Sequence, residues 1–231
     1  MFQVHGEIVL VVLVGIQAFK YIRASIELEE APSRHIAKAL RMTEGRPLLV
    51  FNGEGGEFKA TISALSKKRV TIALNEFEDE ERESPLNIEL AIGLSRGERM
   101  DWVIQKATEL GVNRVVPLFT ERCEVKLTGE RLAKKQQHWQ QVAISACEQC
   151  QRNLVPSINP ALTLDQWLSQ DTGNAEQLKL VLHHRSDKSL AQHQPPKSAC
   201  LLVGPEGGLS DNEISRAMDN GFAVLTLGPR V

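Results

Sequence analysis

Residues 199–213 read ACLLVGPEGGLSDNE, and the reading of this stretch decides the architecture. Five apolar residues are followed by five that include three glycines and a proline, and Ser210 with Glu213 then has the spacing of a helix-capping box. Strand, tight loop and helix in that order are the step from which parallel sheets are built, and such sheets bind ligands beyond the carboxyl ends of their strands. The loop lacks the Lys-Ser/Thr pair that grips the phosphates of a nucleoside triphosphate. It carries a carboxylate, Glu206, among glycines that let main-chain groups approach a ligand closely. That combination suits a ligand with hydroxyls, an amino group or a positive centre, as an adenosyl sulfonium has. The bland alternative is a glycine-rich turn that holds nothing.

Outward from this loop the same rhythm extends back to residue 87. Residues 88–94 form an apolar run, and Met100, Val103, Ile104, Ala107 and Leu110 then recur at helical spacing until Gly111. Residues 112–119 read as a strand, and residues 130–153 as a long helix with Leu132, Trp139, Val142, Ala143, Ala146 and Cys150 along one stripe. Runs at 178–182, 199–203 and 223–227 complete five strands alternating with helices, the pattern of a parallel sheet covered on both faces. The fold class is therefore α/β.

The chain before residue 75 differs. PLLVF at 47–51, turn residues at 52–56 and a strand at 57–62 predict a hairpin, and 70–74 adds another strand. Ser33 can cap a short helix over 33–42 through which Ile36, Ala39 and Leu40 repeat. This part reads as a small β-barrel or compact β-domain. The run NEFEDEERESP at 75–85 crowds like charges and predicts an exposed linker. The expected organisation is a β-domain at 1–75, an acidic linker at 76–86 and an α/β domain at 87–231. The aliphatic run at 8–16 is too short for a membrane span of about 20 residues. Without Lys or Arg before it, it also makes a poor secretory signal, so it reads as a buried strand.

With 27 Lys and Arg against 29 Asp and Glu, the net charge of −2 produces no global field for polyanions. Nucleic-acid contacts would have to use local patches: Lys67, Lys68 and Arg69, then Arg122, Lys126, Arg131, Lys134 and Lys135. Four cysteines read as reduced thiols of a cytosolic protein. Cys147 and Cys150 make a C-x-x-C with no second pair, so buried helical thiols are favoured over a zinc site and no metal is expected. His183 and His184 read as structural, Trp102, Trp139 and Trp167 as core, and Lys106 with Glu109 as a solvated ion pair.

Four segments carry a resemblance: LLVGPEGGLSDNE at 201–213, RMDWVIQKATELGVNRVVPLFTERC at 99–123, ACEQCQRNLVP at 146–156 and LTLGPRV at 225–231. Together they resemble the RsmE family of SPOUT methyltransferases. HIAKALRM at 35–42, with PLLVFNGEGGEF after it, is similar to that family's PUA-like RNA-binding β-barrel. The resemblance implies S-adenosylmethionine-dependent methylation of N3 of a uridine in 16S ribosomal RNA, by a parallel sheet of the α/β knot type with an N-terminal PUA-like barrel. It implies a cytoplasmic homodimer acting on the RNA or the small ribosomal subunit, away from membranes. Three loops would hold the cofactor: Leu182, His183 and His184; Val203, Gly204, Pro205, Glu206, Gly207 and Gly208; and Leu227, Gly228, Pro229 and Arg230. Uracil N3 must lose a proton before it can attack, so a base is required. Glu206 and Glu148 are both candidates, and Arg230 is included among the catalytic residues. Gln105, Lys106 and Glu109 match the family's QKATELG and gain a functional or dimer-interface role as an alternative to the bland ion pair; Glu148, Gln149 and Arg152 match its EQ-x-x-R.

Two departures qualify the resemblance. The family opens with an Arg-containing segment where residues 1–24 here are largely aliphatic, and it continues past the LG-x-R motif where this sequence stops at Val231. The expectation from the second is an unknotted sheet with an incomplete pocket, weak cofactor binding and little methyl transfer. The alternatives are a catalytically defective RNA-binding relative and a SPOUT enzyme acting on another RNA.

Overall fold

The computed structural model describes residues 9–12, 25–66, 69–80, 82–170, 176–183, 190 and 194–226. Two compact units divide the chain: residues 1–83 with 147–155, and residues 84–146 with 156–231.

The first unit contains β1 (Val9–Val12), β2 (Ser25–Glu27), α1 (Glu30–Arg34), a π-helical turn (His35–Ala39), β3 (Pro47–Phe51), β4 (Glu57–Leu65) and β5 (Val70–Glu78). The sheet order is β1-β3-β4-β5-β2, antiparallel except where β1 runs parallel to β3. The expected hairpin is β3 and β4, and alternate residues such as Leu48, Val50, Phe58, Ala60 and Ile62 line its core. The predicted helix is present but differently built. Ser33 lies within the helical run rather than capping it, because its buried hydroxyl donates to the Leu28 carbonyl at 3.0 Å and accepts the Val70 N–H at 3.1 Å. The hydroxyl thus pins the helix to the sheet. Just beyond it the Leu40 N–H reaches the His35 carbonyl at 3.0 Å, closing the wider π turn.

The second unit contains β6 (Asn87–Gly93), α2 (Arg99–Glu109), β7 (Arg114–Phe119), α3 (Gly129–Cys150, whose last turn falls in the first unit), β8 (Ser157–Ile158), β9 (Leu162–Thr163), α4 (Leu164–Leu168), β10 (Leu178–Leu182), β11 (Ser198–Val203), α5 (Asp211–Asp219) and β12 (Ala223–Leu225). All strand pairs are parallel, in the order β12-β10-β11-β6-β7-β8, with β9 also on β7. Both faces are buried, as the continuous apolar runs predict. Ala91, Val116, Leu118 and Leu202 face a cluster containing Leu164, Trp167, Ile214 and Ala217 from α4 and α5. Ile92 and Val115 face the opposite cluster, with Met100 and Ile104 from α2 and Trp139 and Ala143 from α3.

The division of the chain differs from the expected 1–75, 76–86 and 87–231 at two places. Glu76 and Glu78 are strand residues rather than linker: they stand opposite Lys59 and Glu57 in the β4–β5 ladder, with the Lys59 ammonium 3.4 and 2.5 Å from their carboxylates. Residues 147–155 belong with the first unit, not the second. There Arg152 donates through Nε to Glu83 at 2.8 Å, Asn153 donates to the Glu80 carbonyl at 2.7 Å, and Arg82 reaches Glu57 at 2.9 Å. A run of acids reads as self-repelling only until distant cations neutralise it.

Cys147 and Cys200 are buried and Cys123 and Cys150 half-buried, so the expectation of buried helical thiols holds for only one of the C-x-x-C pair. Burial pushes the Cys147 thiol up to about 12, and burial followed by the nearby Glu89 carboxylate raises Cys200 further. A thiolate-specific disulfide reagent at pH 8 is therefore expected to label Cys123 and Cys150 first, with Cys147 and Cys200 reacting only on unfolding. Mass mapping of the labelled peptides checks the order. Among the described residues no helix is long and apolar enough to cross a membrane.

Candidate functional site

The sheet brings the carboxyl ends of β12, β10 and β11 side by side. Leu182 stands opposite Leu225, Val181 opposite Leu202, and Val203 opposite Ile92 of β6. Just beyond the strands the His183 N–H donates to the Leu225 carbonyl at 3.0 Å, and Thr226 Oγ1 donates to the His183 carbonyl at 2.9 Å. Two of the three predicted loops, those starting at Leu182-His183 and at Val203, thus leave adjacent strands. The third starts next to them, but Leu227, Gly228, Pro229 and Arg230 lie outside the described residues, as does His184.

The loop at 204–208 is held from both ends. Its capping box is present: Ser210 Oγ accepts the Glu213 N–H at 3.1 Å and Glu213 accepts the Ser210 N–H at 2.9 Å. The buried Glu213 carboxylate also accepts the Glu121 N–H at 2.8 Å, which ties the segment after β7 to the start of α5. Within the loop the Gly208 N–H reaches the Pro205 carbonyl at 2.8 Å, with Gly208 at φ +69°. Gly204 packs so closely that a Cβ there would lie 2.7 Å from the Gly208 carbonyl carbon and the Leu209 nitrogen. On the other side Gly93, which ends β6, leaves a gap that Pro205 fills: a Cβ on it would lie 2.4 Å from Pro205 Cδ. Sequence reasoning passed over Gly93, although a glycine closing an apolar strand is a signal for close main-chain approach. Three of the loop's five positions have no side chain, and Gly204 and Gly207 use that to pack against the Gly208–Leu209 main chain and against Arg122.

Glu206 has a structural task in this arrangement. Its carboxylate accepts the Arg96 N–H at 3.1 Å and lies 3.4 Å from the Arg99 guanidinium. Hydrogen bonding to its own N–H, then the Arg96 N–H and the Arg99 charge, hold its carboxyl below the usual carboxylate range against the opposing effect of burial. It is ionised at neutral pH. Arg122, expected as an RNA contact, donates to the Gly207 carbonyl at 3.0 Å and so belongs to the rim of the same loop.

Glu148, the other candidate base, lies in the first unit, on the last turn of α3. Lys126 and Arg131 are exposed, Lys135 is half-buried, and Lys134 pairs with Glu130 at 2.7 Å. Arg69 pairs with Glu27, while Lys67 and Lys68 lie outside the described residues. Lys106 and Glu109 form the expected pair, at 2.8 Å, with Gln105 half-buried beside them. Trp139 and Trp167 are core residues, but Trp102 is 61% exposed and the reading of it as core is corrected: α2 turns Met100, Ile104 and Thr108 inward, and Trp102 lies off that stripe. A basic surface was missed. Arg34, His35, Lys38 and Arg41 are exposed on the helical segment of the first unit, and Arg41 is held at φ +51°. The signal was available, since residues 31–43 contain no acid.

Comparison with known proteins places these features in context. Residues 82–231 match the model of an RNA methyltransferase domain, and residues 28–75 that of an RNA methyltransferase PUA domain. The ribosomal RNA small subunit methyltransferase E of Bacillus subtilis is 33% identical over 224 residues, covering 89% of this chain and 86% of that protein. The crystal structure of a ribosomal RNA small subunit methyltransferase E from Neisseria gonorrhoeae bound to S-adenosyl methionine superimposes with a TM-score of 0.89 at 33% identity, covering 98% of this chain and 91% of that one. A Legionella pneumophila protein solved with the bound cofactor SAM gives a TM-score of 0.87 at 41% identity, over 96% and 91% of the two chains.

Proposed function

Because the chain belongs to the ribosomal RNA small subunit methyltransferase E family, we propose that it methylates N3 of a uridine in 16S ribosomal RNA with S-adenosylmethionine as donor. The observation that carries the reading is the convergence of the Leu182-His183 end, the 204–208 loop and the β12 end at the carboxyl ends of neighbouring parallel strands. It is an RNA methyltransferase, and the cofactor supplies an activated methyl on a sulfonium sulfur. The protein's part is positioning and electrostatics.

Leu182, His183, Val203, Gly204, Pro205, Glu206, Gly207 and Gly208 form the described part of the proposed cofactor pocket, with Leu227 and Gly228 completing it. The ionised Glu206 supplies negative charge beside the loop. When N3 forms its bond to the methyl carbon, the carbon–sulfur bond breaks and the N3 proton must leave to a base. Glu206 and Glu148 are the two carboxylates carried forward as candidates for that base. The RNA contacts we propose are Lys67, Lys68, Arg69, Arg122, Lys126, Lys134 and Lys135, joined by Lys38 and Arg41. The working form is a cytoplasmic homodimer, for which Trp102 and Leu110, 61% and 81% exposed, offer apolar surface that a second copy would cover.

The test is to incubate the protein with methyl-labelled cofactor and unmodified small ribosomal subunits, then digest the RNA and identify the labelled nucleoside by mass spectrometry. The expected product is 3-methyluridine at one position. Label on a different nucleoside would overturn the N3 assignment, and cofactor binding without transfer would favour an RNA-binding relative.

A further inference from the structure

Three arginines rim the 204–208 loop. Arg96 and Arg99, in the segment after β6 and at the start of α2, are 67% and 71% exposed. Arg122 is exposed after β7 and gives one N–H to the Gly207 carbonyl, with a Cβ on Gly207 reaching 3.2 Å from its own. These residues come from beyond the carboxyl ends of β6 and β7, next to the loop that follows β11. If the methyl donor is held at those strand ends, as proposed above, a nucleotide presented to it meets this rim. Guanidinium groups match phosphate oxygens in a planar, two-pronged fashion and stay charged throughout.

The present partners of these arginines do not use them up. Arg96 meets Glu124 at 2.9 Å between side chains that are both about two-thirds exposed, the kind of pair that contributes little and yields to a competing anion. Arg99 meets Glu206 at the looser distance of 3.4 Å, and Glu206 already has the Arg96 N–H at 3.1 Å. One carboxylate therefore fixes the main chain at Arg96 and leans the Arg99 guanidinium toward the loop, while most of that guanidinium remains open to solvent.

We propose that Arg99, flanked by Arg96 and Arg122, anchors an RNA phosphate beside the nucleotide to be methylated, and that Glu206 is the residue that positions Arg99 there. The inference rests on the proposed RNA methylation and assigns Glu206 a positioning role in place of proton removal.

The test compares the full chain with R99Q, E206Q and the double variant, reading steady-state methylation of unmodified small subunits across a salt series and cofactor affinity by calorimetry. For R99Q the expected result is a rise of about tenfold in KM for the subunit, with the slope of log affinity on log salt reduced by about one. The cofactor affinity of R99Q stays within about twofold, since Arg99 lies outside the 204–208 loop and meets it at the Glu206 carboxylate, 3.4 Å away. E206Q keeps an oxygen for the Arg96 N–H but loses the charge facing Arg99, so it reproduces the KM rise and the reduced salt slope of R99Q, and in KM the double variant is no worse than R99Q alone. R99K recovers part of the salt slope. A fall in kcat for E206Q at unchanged KM overturns the positioning role, and an R99Q that loses cofactor affinity or keeps wild-type KM overturns the anchor. If the wild type binds cofactor but transfers no methyl, the proposed function fails instead. Filter binding of the same RNA by wild type and R99Q then decides the anchor, equal affinity and equal salt slope overturning it.

Discussion

Arg152→Ala is expected to lose about 3–5 kcal/mol of stability, because it strips one partner from a buried ion pair. Both side chains of the Arg152–Glu83 pair are only 8% exposed, and Arg152 Nε donates to Glu83 at 2.8 Å. Taking the guanidinium away leaves a carboxylate that is only 8% exposed and has lost the cation it faces. The same pair closes the segment at 147–155 onto the end of the acidic run, so its loss should also free the Asn153 contact to the Glu80 carbonyl. Urea denaturation checks the magnitude. Replacing both partners with apolar residues of similar size is expected to cost much less than the single change, since no charge is then stranded. A loss below about 1 kcal/mol for Arg152→Ala would mean that the pair behaves as a surface contact.

Gly93→Ala is expected to weaken cofactor binding by tenfold or more, although residue 93 is not in the cofactor loop. Its added methyl would sit 2.4 Å from Pro205 Cδ and 2.6 Å from the Pro205 nitrogen, and a proline ring joined to main chain cannot swing aside. Overpacking of this kind costs about 1–3 kcal/mol, here absorbed by displacing the loop. Gly204→Ala is expected to do the same, its methyl meeting main-chain atoms of Gly208 and Leu209 at 2.7 Å. Gly207→Ala is the contrast. Its nearest neighbour is Arg122 Cβ at 3.2 Å on an exposed side chain, so the change is expected to cost about threefold or less. Calorimetry with S-adenosylmethionine on the three variants, beside thermal melts, separates loop displacement from general unfolding. Equal, wild-type affinities for all three would show that the loop geometry does not govern the pocket.

What could be read from the residues alone is what short-range chemistry determines. The capping box of Ser210 and Glu213 spans three residues, the β3–β4 hairpin is announced by its turn, and the Lys106–Glu109 pair is a helical neighbour contact. The parallel sheet followed from apolar runs that alternate with helical stripes, because burial on both faces leaves no polar positions in the strands. The order GPEGG after a strand and before a helix marked the proposed binding edge for the same reason: the carboxyl end of a strand is fixed by chain direction.

Tertiary structure decided whatever depends on a partner far along the chain. Glu206 could be picked out as the acid of its loop, but the Arg96 N–H that engages it comes from 110 residues away. Acids at 76–83 read as a repelling linker until Lys59 and Arg152, the latter 69 residues beyond its partner, are brought against them. Ser33 was legible as a cap by local rule, yet the Val70 N–H, 37 residues on, uses its hydroxyl instead. Trp102 looked like core by its type, and only the rotation of α2 against the sheet turned it outward. Composition and periodicity specify which faces are buried. They carry no information on which distant charge, hydroxyl or glycine the folded chain will place opposite a given residue, and the chemistry of this site lies in those pairings.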